Sequence, residues 1–372
     1  MLSRRDFASR IALAGAAARM LPEMAYAQRA AVRAGDLPKD MVWLNANENP
    51  AGIPASALEA MREVVPTAWR YHYQEFGDIY DNIARSEDLK AENIIIGSGS
   101  SEVLHIAVDV LTSPTRPLIT VTPTSEGPVE LARHLGHPVV LTKLRPDYTA
   151  DPKALIDEAA KAHGGVIYIC NPNNPTSAIT TRKELDWMVS NLPPNTTLLV
   201  DEAYIHFGDS PELGSALQYV RQGKDVIVTR TFSKIYGMAG LRVGFAAARP
   251  DLTDKLRPLV MNVISIVGAR AAVAALKESK TLVPDRRAVL ARTRQDLCAW
   301  LRERELKFID PQANFMMIDV RRNAREFINA MPKLGVAPGR PFPPLDNLLR
   351  VTIGTDQEMA KFKEVFWKVY KA

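Results

Sequence analysis

Hydrophobic residues along this chain follow two alternating patterns. Short, continuous apolar runs are typical of strands buried on both faces of a sheet. We predict strands at Ile94–Ile96, Leu118–Val121, Val166–Ile169, Thr197–Val200, Val226–Thr229 and Val243–Ala247. The longer stretches between them space their apolar residues as helices do. This alternation favours an α/β fold with a mostly parallel sheet between layers of helices.

Two of the predicted helices have recognisable start signals. One begins at Ser100–Ser101, and another begins at Thr181, where Glu184 three residues later completes a capping-box pattern. After about residue 270 the pattern becomes mostly helical, with short strands predicted near Phe315–Val320 and Leu349–Ile353. These last elements indicate a second, smaller domain.

Composition narrows the class of protein. The chain has 372 residues, of which 47% are hydrophobic and 24% charged, the balance of a globular protein with a substantial core. The formal net charge of +5 is small for this length and does not indicate nucleic-acid binding. Two cysteines, Cys170 and Cys298, cannot build a metal site by themselves, and we predict no metal. We interpret them as separate core thiols, with one disulfide as the alternative.

The N-terminus has the features of an export signal in the expected order. The pair Arg4-Arg5 is followed by the apolar run Ile11–Ala18 and by the small-x-small pattern Ala25-Tyr26-Ala27. The paired arginines are typical of a bacterial twin-arginine signal, and an amphipathic helix is the alternative. The run is too short to span a bilayer stably, so we predict no membrane span. Residues 1–27 are predicted to engage the twin-arginine export machinery, which implies a periplasmic or otherwise exported location.

The candidate chemistry is concentrated in a Gly-rich segment after the strand predicted at Val226–Thr229. Lys234 follows Ser233 there, and Arg242 comes eight residues later in an otherwise uncharged stretch. A lysine must lose a proton to attack a carbonyl carbon, and a buried, cation-rich site lowers its pKa. Arg242 and Ser233 are suited to hold a phosphate group. The segment therefore indicates a nucleophilic lysine beside a phosphate site.

Three further motifs also follow predicted strands. Asp201 ends one strand, where an unpaired carboxylate would be costly to bury, and Tyr204 lies three residues on. Asn174 lies in a proline-fixed turn after another strand. Ser100 and Ser101 begin a helix after a glycine-containing turn, where backbone N–H groups suit an anion. Each motif alone is also consistent with a structural turn or cap. Ligands in open α/β sheets bind at such strand ends, which favours a common site.

In this order and spacing, the motifs resemble those of fold-type I pyridoxal 5′-phosphate (PLP) enzymes, in particular the histidinol-phosphate aminotransferase branch of the class I and II aminotransferases. The resemblance runs from about Leu44 to the C-terminus. It implies a PLP-binding large domain with a mostly parallel seven-stranded sheet, a smaller α+β domain and a homodimer. The implied boundaries are 28–65 for an N-terminal segment joining the small domain, 66–265 for the large domain and 266–372 for the small domain.

The same resemblance implies a role for each cofactor-site residue. Lys234 would form the Schiff base with PLP and then move the proton during amino-group transfer. Asp201 would pair with the pyridine nitrogen, while Asn174 and Tyr204 would bind the ring hydroxyl. The residues that would hold the phosphate are Ser100, Ser101, Ser233 and Arg242.

Substrate contacts and an intersubunit contact follow from the same match. Asn47 lies in the segment that lines the substrate site, and Arg350 matches the arginine that binds the α-carboxylate, for which its planar fork is suited. Arg340 lies near the position of a second substrate-contacting arginine. Tyr71 resembles a tyrosine that reaches the phosphate of the neighbouring subunit. A purely structural role is the alternative for Arg340 and Tyr71.

Two positions depart from the family pattern. The aromatic residue that usually stacks on the cofactor ring is replaced by Ser125, directly after Pro123-Thr124. The glycine that usually ends the Asn-Pro-Thr turn is replaced by Ser177. We expect the first change to alter cofactor affinity or reaction specificity, and the second to be milder.

The sequence thus predicts an aminotransferase that moves an amino group from an amino acid or related amine to a 2-oxo acid. The resemblance suggests histidinol phosphate as the donor, whereas export favours an amino acid or modified amine outside the cytoplasm. Arg340 and Arg350 favour acidic or carboxylate-bearing ligands. The alternatives are a PLP-dependent decarboxylase, racemase or lyase of the same fold, and a non-catalytic PLP-binding module.

Overall fold

The computed structural model describes residues 40–260 and 262–372, and the predicted signal at residues 1–27 lies outside them. The strands are β1 (Val42–Trp43), β2 (Ile94–Gly97), β3 (Leu118–Thr122), β4 (Val139–Lys143), β5 (Gly165–Cys170), β6 (Thr196–Asp201), β7 (Val226–Thr231), β8 (Gly244–Ala247), β9 (Phe315–Asp319), β10 (Val336–Ala337) and β11 (Leu348–Thr352). The helices are α1 (Ala55–Val64), α2 (Phe76–Ser86), α3 (Ser100–Leu111), α4 (Gly127–His134), α5 (Pro152–Lys161), α6 (Arg182–Ser190), α7 (Leu217–Arg221), α8 (Pro250–Leu256), α9 (Ile266–Lys277), α10 (Ser279–Arg302), α11 (Arg325–Ala330) and α12 (Asp356–Lys371).

Seven strands form the central sheet, in the order β2-β8-β7-β6-β5-β3-β4. Strand β8 runs antiparallel to its neighbours β2 and β7, and the other pairs are parallel. Successive side chains of a strand point to opposite faces. Every residue of β5, β6 and β7 is buried, so both faces of the sheet are covered. The predicted α/β fold with a mostly parallel seven-stranded sheet is confirmed.

The apolar runs account for six of the seven sheet strands, each within two residues of its predicted ends. They miss β4, the edge strand that pairs with β3 at the end of the sheet opposite β2. Its residues are half-buried or exposed, and Leu141 is 39% exposed. Its apolar run, Val139-Val140-Leu141, is short and is followed by the polar Thr142 and Lys143, so the pattern alone does not distinguish a strand from a helical turn or a loop.

The predicted helix starts at Ser100 and Thr181 are both confirmed. Helix α6 begins after Thr181, whose hydroxyl accepts from the backbone N–H of Glu184 at 3.2 Å. The Glu184 carboxylate in turn accepts from the backbone N–H of Thr181 at 2.8 Å, which completes the capping box. Helix α3 begins at Ser100, directly after β2.

The C-terminal part contains the predicted helices and strands. Strands β9 and β11 match the predictions near residues 315–320 and 349–353, and they form an antiparallel pair in which Arg350 lies opposite Met317. Strand β1 pairs in parallel with β10, so that Val42 lies opposite Val336. The N-terminal segment is therefore attached to the C-terminal part by backbone hydrogen bonds. The domain boundaries themselves stay a prediction.

Cys170 and Cys298 are both buried free thiols, as predicted for separate core residues. Within residues 40–260 and 262–372, no helix combines the length and apolarity needed to span a membrane. The same part of the chain contains no group of three or more His, Cys, Asp or Glu side chains placed to hold a metal ion.

Candidate active site

The polar motifs follow strands that run in one direction, so they meet at one edge of the central sheet. There they line a cavity of about 510 Å³ that is closed on its other side by the N-terminal segment and the C-terminal part. The predicted site residues in its lining are Asn47, Ser100, Ser101, Asn174, Asp201, Tyr204, Ser233, Lys234, Arg242, Arg340 and Arg350. The structure thus brings together every predicted site residue except Tyr71.

A larger cavity of about 680 Å³ lies elsewhere, between α2 and the segment before α9. Its lining includes Tyr80, Asp81 and Arg257, and it contains none of the predicted site residues. Because the chemically active groups converge in the smaller cavity, we place the candidate active site there.

Lys234 lies in the turn after β7 and is half-buried. Its Nζ donates a hydrogen bond to the Ala46 carbonyl oxygen at 3.2 Å and lies 5.5 Å from the centre of the Tyr204 ring. Asn47 donates from Nδ2 to the Tyr204 hydroxyl at 3.2 Å. The N-terminal segment therefore contacts both the lysine and the tyrosine, which confines the lysine amine to the cavity.

Asp201 ends β6 and is only 4% exposed. Its Oδ1 accepts from the Thr229 hydroxyl at 3.1 Å and from the Ala203 N–H at 3.2 Å. The hydroxyl of Tyr168 lies farther from Oδ2, at 3.5 Å, and the thiol of Cys170 lies at 4.0 Å. Burial raises the pKa of the Asp201 carboxyl to about 6, although the hydrogen bonds oppose that rise. One oxygen is well bonded and the other weakly, which suits a cationic partner inside the cavity.

A buried network of charges holds the strand ends next to Asp201. The Arg230 guanidinium pairs with Glu202 at 2.8 Å and with Glu87 at 2.6 Å. Glu202 also accepts from the backbone N–H of Ala216 at 2.5 Å. Removing one member of such a network would leave a buried charge unpaired, so the three charges fix β6 and β7 relative to each other.

The turn after β2 and Arg242 form a corner suited to a phosphate. Arg242 donates from Nη1 to the Ser233 hydroxyl at 3.2 Å, and its Nη2 lies 3.5 Å from the Ser98 carbonyl oxygen. Helix α3 starts at Ser100 without a side-chain cap, so the N–H groups of its first turn are available to an anion. At Gly99, where φ is +80°, a Cβ would lie 2.1 Å from Arg242 Nη2, so only glycine lets the guanidinium reach this turn. Hydroxyls, helix N–H groups and a guanidinium are the donors that a phosphate requires.

Arg350 projects from β11 and is 6% exposed. It donates to Asn174 Oδ1 at 2.8 Å and to the Asn45 carbonyl oxygen at 2.5 Å. Its guanidinium lies 4.7 Å from the centre of the Phe342 ring and 5.6 Å from that of Phe315. The hydrogen bond fixes Asn174 Oδ1 as an acceptor, which leaves the amide NH₂ as its donor to a ligand.

Arg340 also lines the cavity, but its guanidinium forms an ion pair with Glu126, which precedes α4. Sequence reasoning missed this contact, because the two residues lie 214 positions apart. Ser125, the residue before Glu126, is in the cavity lining, as expected from the position of the missing ring.

Tyr168 is a second residue that sequence reasoning missed. It is fully buried in β5, with its hydroxyl near both Asp201 and Ser125. Burial raises the pKa of the phenol well above its ordinary value, so it stays protonated and serves as a hydrogen-bond donor. The sequence does contain a signal for this role, because Tyr168 is the one residue with a polar group in the predicted apolar strand Val166–Ile169.

Ser177 has a structural role that explains its departure from the family glycine. Its backbone is left-handed, with φ at +63°. Its hydroxyl accepts from the backbone N–H groups of Gln312 and Ala313 at 2.9 and 2.8 Å. These two hydrogen bonds join the Asn-Pro-Thr turn to the C-terminal part and offset a strain of about 1–2 kcal/mol.

Tyr71 lies outside the cavity lining. Its side chain is 65% exposed and stacks on Tyr73 with the ring centres 5.0 Å apart. The neighbouring Trp69 is also largely exposed. A role in another subunit's site stays a prediction for Tyr71.

The family match covers most of the chain, since residues 39–366 match the family described as aminotransferase class I and II. Histidinol-phosphate aminotransferase of Moorella thermoacetica is 32% identical over 331 residues, covering 87% of this chain and 84% of that relative.

Two solved structures share the architecture. One is a protein from Erwinia carotovora atroseptica that is provisionally assigned as a histidinol-phosphate aminotransferase. It is 30% identical with a TM-score of 0.87, and the match covers 90% of this chain and 98% of the Erwinia chain. Histidinol-phosphate aminotransferase of Sinorhizobium meliloti in complex with pyridoxal 5′-phosphate is 24% identical, with a TM-score of 0.83 and 95% coverage of each chain. The chain belongs to the class I and II aminotransferases, and it is a PLP-dependent transaminase of fold type I.

Proposed function

We propose that this enzyme moves an amino group from an amino acid or related amine to a 2-oxo acid, with Lys234 as the residue that binds PLP covalently. The observation that carries the proposal is the convergence of Lys234, Asp201, Arg242 and Arg350 on one cavity of about 510 Å³. A lysine, a buried carboxylate, a phosphate corner and a carboxylate-binding arginine together suit PLP and an amino-acid substrate.

The cavity residues divide into those that hold the cofactor and those that act on the substrate. PLP supplies an electron sink for negative charge that develops at the substrate Cα. Asp201 would pair with the pyridine nitrogen and keep it protonated, while Asn174 and Tyr204 would donate to the ring hydroxyl. The proposed phosphate ligands are Ser100, Ser101, Ser233 and Arg242.

Lys234 performs the proton transfer in this proposal. With PLP bound, the Lys234 amine would be the group in the cavity lining that accepts the proton from the substrate Cα and later donates one back. The contacts with Ala46 and Tyr204 hold the amine inside the cavity, and Arg350 orients the substrate by its carboxylate. Asn47, which contacts Tyr204, completes the substrate side.

The reaction is tested with a panel of amino donors that includes histidinol phosphate, with pyruvate and 2-oxoglutarate as acceptors. We expect one mole of the amino acid formed from the acceptor for each mole of donor consumed. Release of carbon dioxide or racemisation, without transfer of the amino group, would instead identify a decarboxylase or racemase of the same fold. The observation that favours these alternatives is Ser125, which replaces the usual stacking ring and is expected to alter reaction specificity.

The proposed homodimer rests on the exposed aromatic residues around Tyr71. We expect the enzyme to sediment as a dimer at micromolar concentration, and a monomeric mass would contradict this. Tyr71→Phe should weaken PLP binding by roughly tenfold, since it removes one hydrogen bond to a charged phosphate. Tyr73→Phe is the matched control, because Tyr73 is similarly exposed and stacks on Tyr71. Equal affinities for native protein and both variants would exclude the contact.

We also propose export through the twin-arginine pathway, from the order of features in residues 1–27. The test replaces Arg4 and Arg5 by lysine and follows the protein by cell fractionation. Retention of the variant in the cytoplasm, with native protein in the periplasm, is the expected result. Cytoplasmic native protein would remove the reason to prefer donors from outside the cytoplasm.

A further inference from the structure

An ion pair beside the candidate active site joins parts of the chain that lie far apart, because Arg340 lines the cavity and Glu126 follows the lining residue Ser125. Arg340 is in the loop between β10 and β11, and Glu126 directly precedes α4. Their side chains are 20% and 32% exposed, so the pair is partly shielded from water. Partial burial strengthens the attraction between the two charges compared with a pair on the open surface.

The remaining contacts of Arg340 hold its guanidinium in this position. Its Nη1 donates to the Pro341 carbonyl oxygen at 3.0 Å, while Nη2 donates to Glu126. The guanidinium carbon lies 4.1 Å from the centre of the Phe342 ring. The same ring lies 4.7 Å from the guanidinium of Arg350, so Phe342 packs against both arginines.

Arg340 therefore meets a ligand as one half of an ion pair. Its carboxylate partner Glu126 offsets the guanidinium charge at this part of the cavity lining. An acidic group on a substrate side chain would have to displace Glu126 and would then lie beside it. Both steps disfavour a second anionic group.

We propose that Glu126 determines substrate specificity by neutralising Arg340, so that the enzyme prefers donors and 2-oxo acids with one carboxylate and an uncharged side chain. This inference rests on the proposed transaminase function. It differs from the expectation from sequence that Arg340 and Arg350 together favour acidic ligands, and the experiments below decide between the two. It also disfavours a phosphate-bearing donor, because a phosphate carries more negative charge than a carboxylate.

The test compares native enzyme with Glu126→Gln, which keeps the side-chain shape and removes the negative charge. We expect the ratio of kcat/KM for aspartate to kcat/KM for alanine to rise at least about tenfold in the variant. The matched control is Glu130→Gln on α4, where Glu130 pairs with Arg133 at 3.0 Å. Glu130→Gln should leave the ratio unchanged. A native preference for aspartate over alanine, or equal ratios in native enzyme and Glu126→Gln, would overturn the proposal.

A binding measurement separates this proposal from the proposed reaction. Calorimetry with PLP-bound protein compares succinate, a dicarboxylate, with butyrate, a monocarboxylate of the same chain length. Glu126→Gln should bind succinate at least about tenfold more tightly relative to butyrate than native protein does. If no donor reacts but succinate binding tightens, the reaction is wrong and the role of Glu126 stands. Unchanged relative affinities would refute that role even in an active transaminase.

Discussion

Replacing Lys234 by alanine is expected to lower the rate of amino-group transfer by about three to four orders of magnitude. General acid–base catalysis alone contributes about 10²–10⁴-fold, and the variant also loses the amine that binds PLP covalently. The measurement is single-turnover conversion of an amino donor by the purified variant, together with the absorbance of its bound cofactor. We expect PLP in the variant to have the spectrum of the free aldehyde.

Lys224 provides the matched control for this experiment. It is an exposed lysine in the loop before β7, ten residues from Lys234 and outside the cavity. Lys224→Ala should keep both the turnover rate and the cofactor spectrum of native enzyme. Native turnover in Lys234→Ala would show that another group moves the proton.

Asp201→Asn should have opposite effects on the stability of the cofactor-free protein and on catalysis. Burial raises the pKa of the Asp201 carboxyl to about 6, above its ordinary value of 3.8. The folded protein therefore binds this proton more tightly than the unfolded chain does. Above pH 6 the buried carboxylate is ionised and destabilises the folded state by roughly 3 kcal/mol. The cost falls as the pH is lowered from about 6 and vanishes below about pH 4, where the carboxyl is protonated in both states.

The variant removes this cost, so the cofactor-free Asp201→Asn protein should be more stable than native protein at pH 8 and of similar stability below pH 4. Urea unfolding at equal protein concentration measures the difference. Loss of the carboxylate also removes the partner of the pyridine nitrogen, so transfer should slow by about a hundredfold or more. Asp157→Asn is the control, because Asp157 lies on α5 in an exposed pair with Lys153. A less stable Asp201→Asn protein at pH 8, or unchanged turnover, would contradict the assigned role.

The sequence predicts the architecture well because its strongest signals are local. Each continuous apolar run becomes a buried strand, since the middle of the sheet is covered on both faces. The chemical motifs directly follow these strands, so the parallel topology alone places Asp201, Asn174 and Lys234 close together. The edge strand β4 is missed because its run of three apolar residues is too short to distinguish a strand from other structures.

Contacts between distant segments have no such local signal. Glu126 pairs with Arg340 only because the C-terminal part packs against the central sheet. The sequence shows both charges but not their pairing, on which the proposed substrate preference rests. The hydrogen bonds of Ser177 to Gln312 and Ala313 are of the same kind. Sequence order shows which residues are chemically capable, whereas the tertiary fold decides which of them are already paired.

The central claim is that Lys234 binds PLP covalently and releases it when the amino group is transferred. The most direct test is borohydride reduction of PLP-bound native protein, followed by peptide mass spectrometry, with and without a mixture of the protein amino acids, related amines and histidinol phosphate. Without amino acids, the cofactor should be fixed to the peptide that contains Lys234. With them, the label should disappear from that peptide, because the cofactor then carries the transferred amino group. Labelling of a different lysine, or of none, would contradict the account, as would a Lys234 label that persists unchanged with every donor.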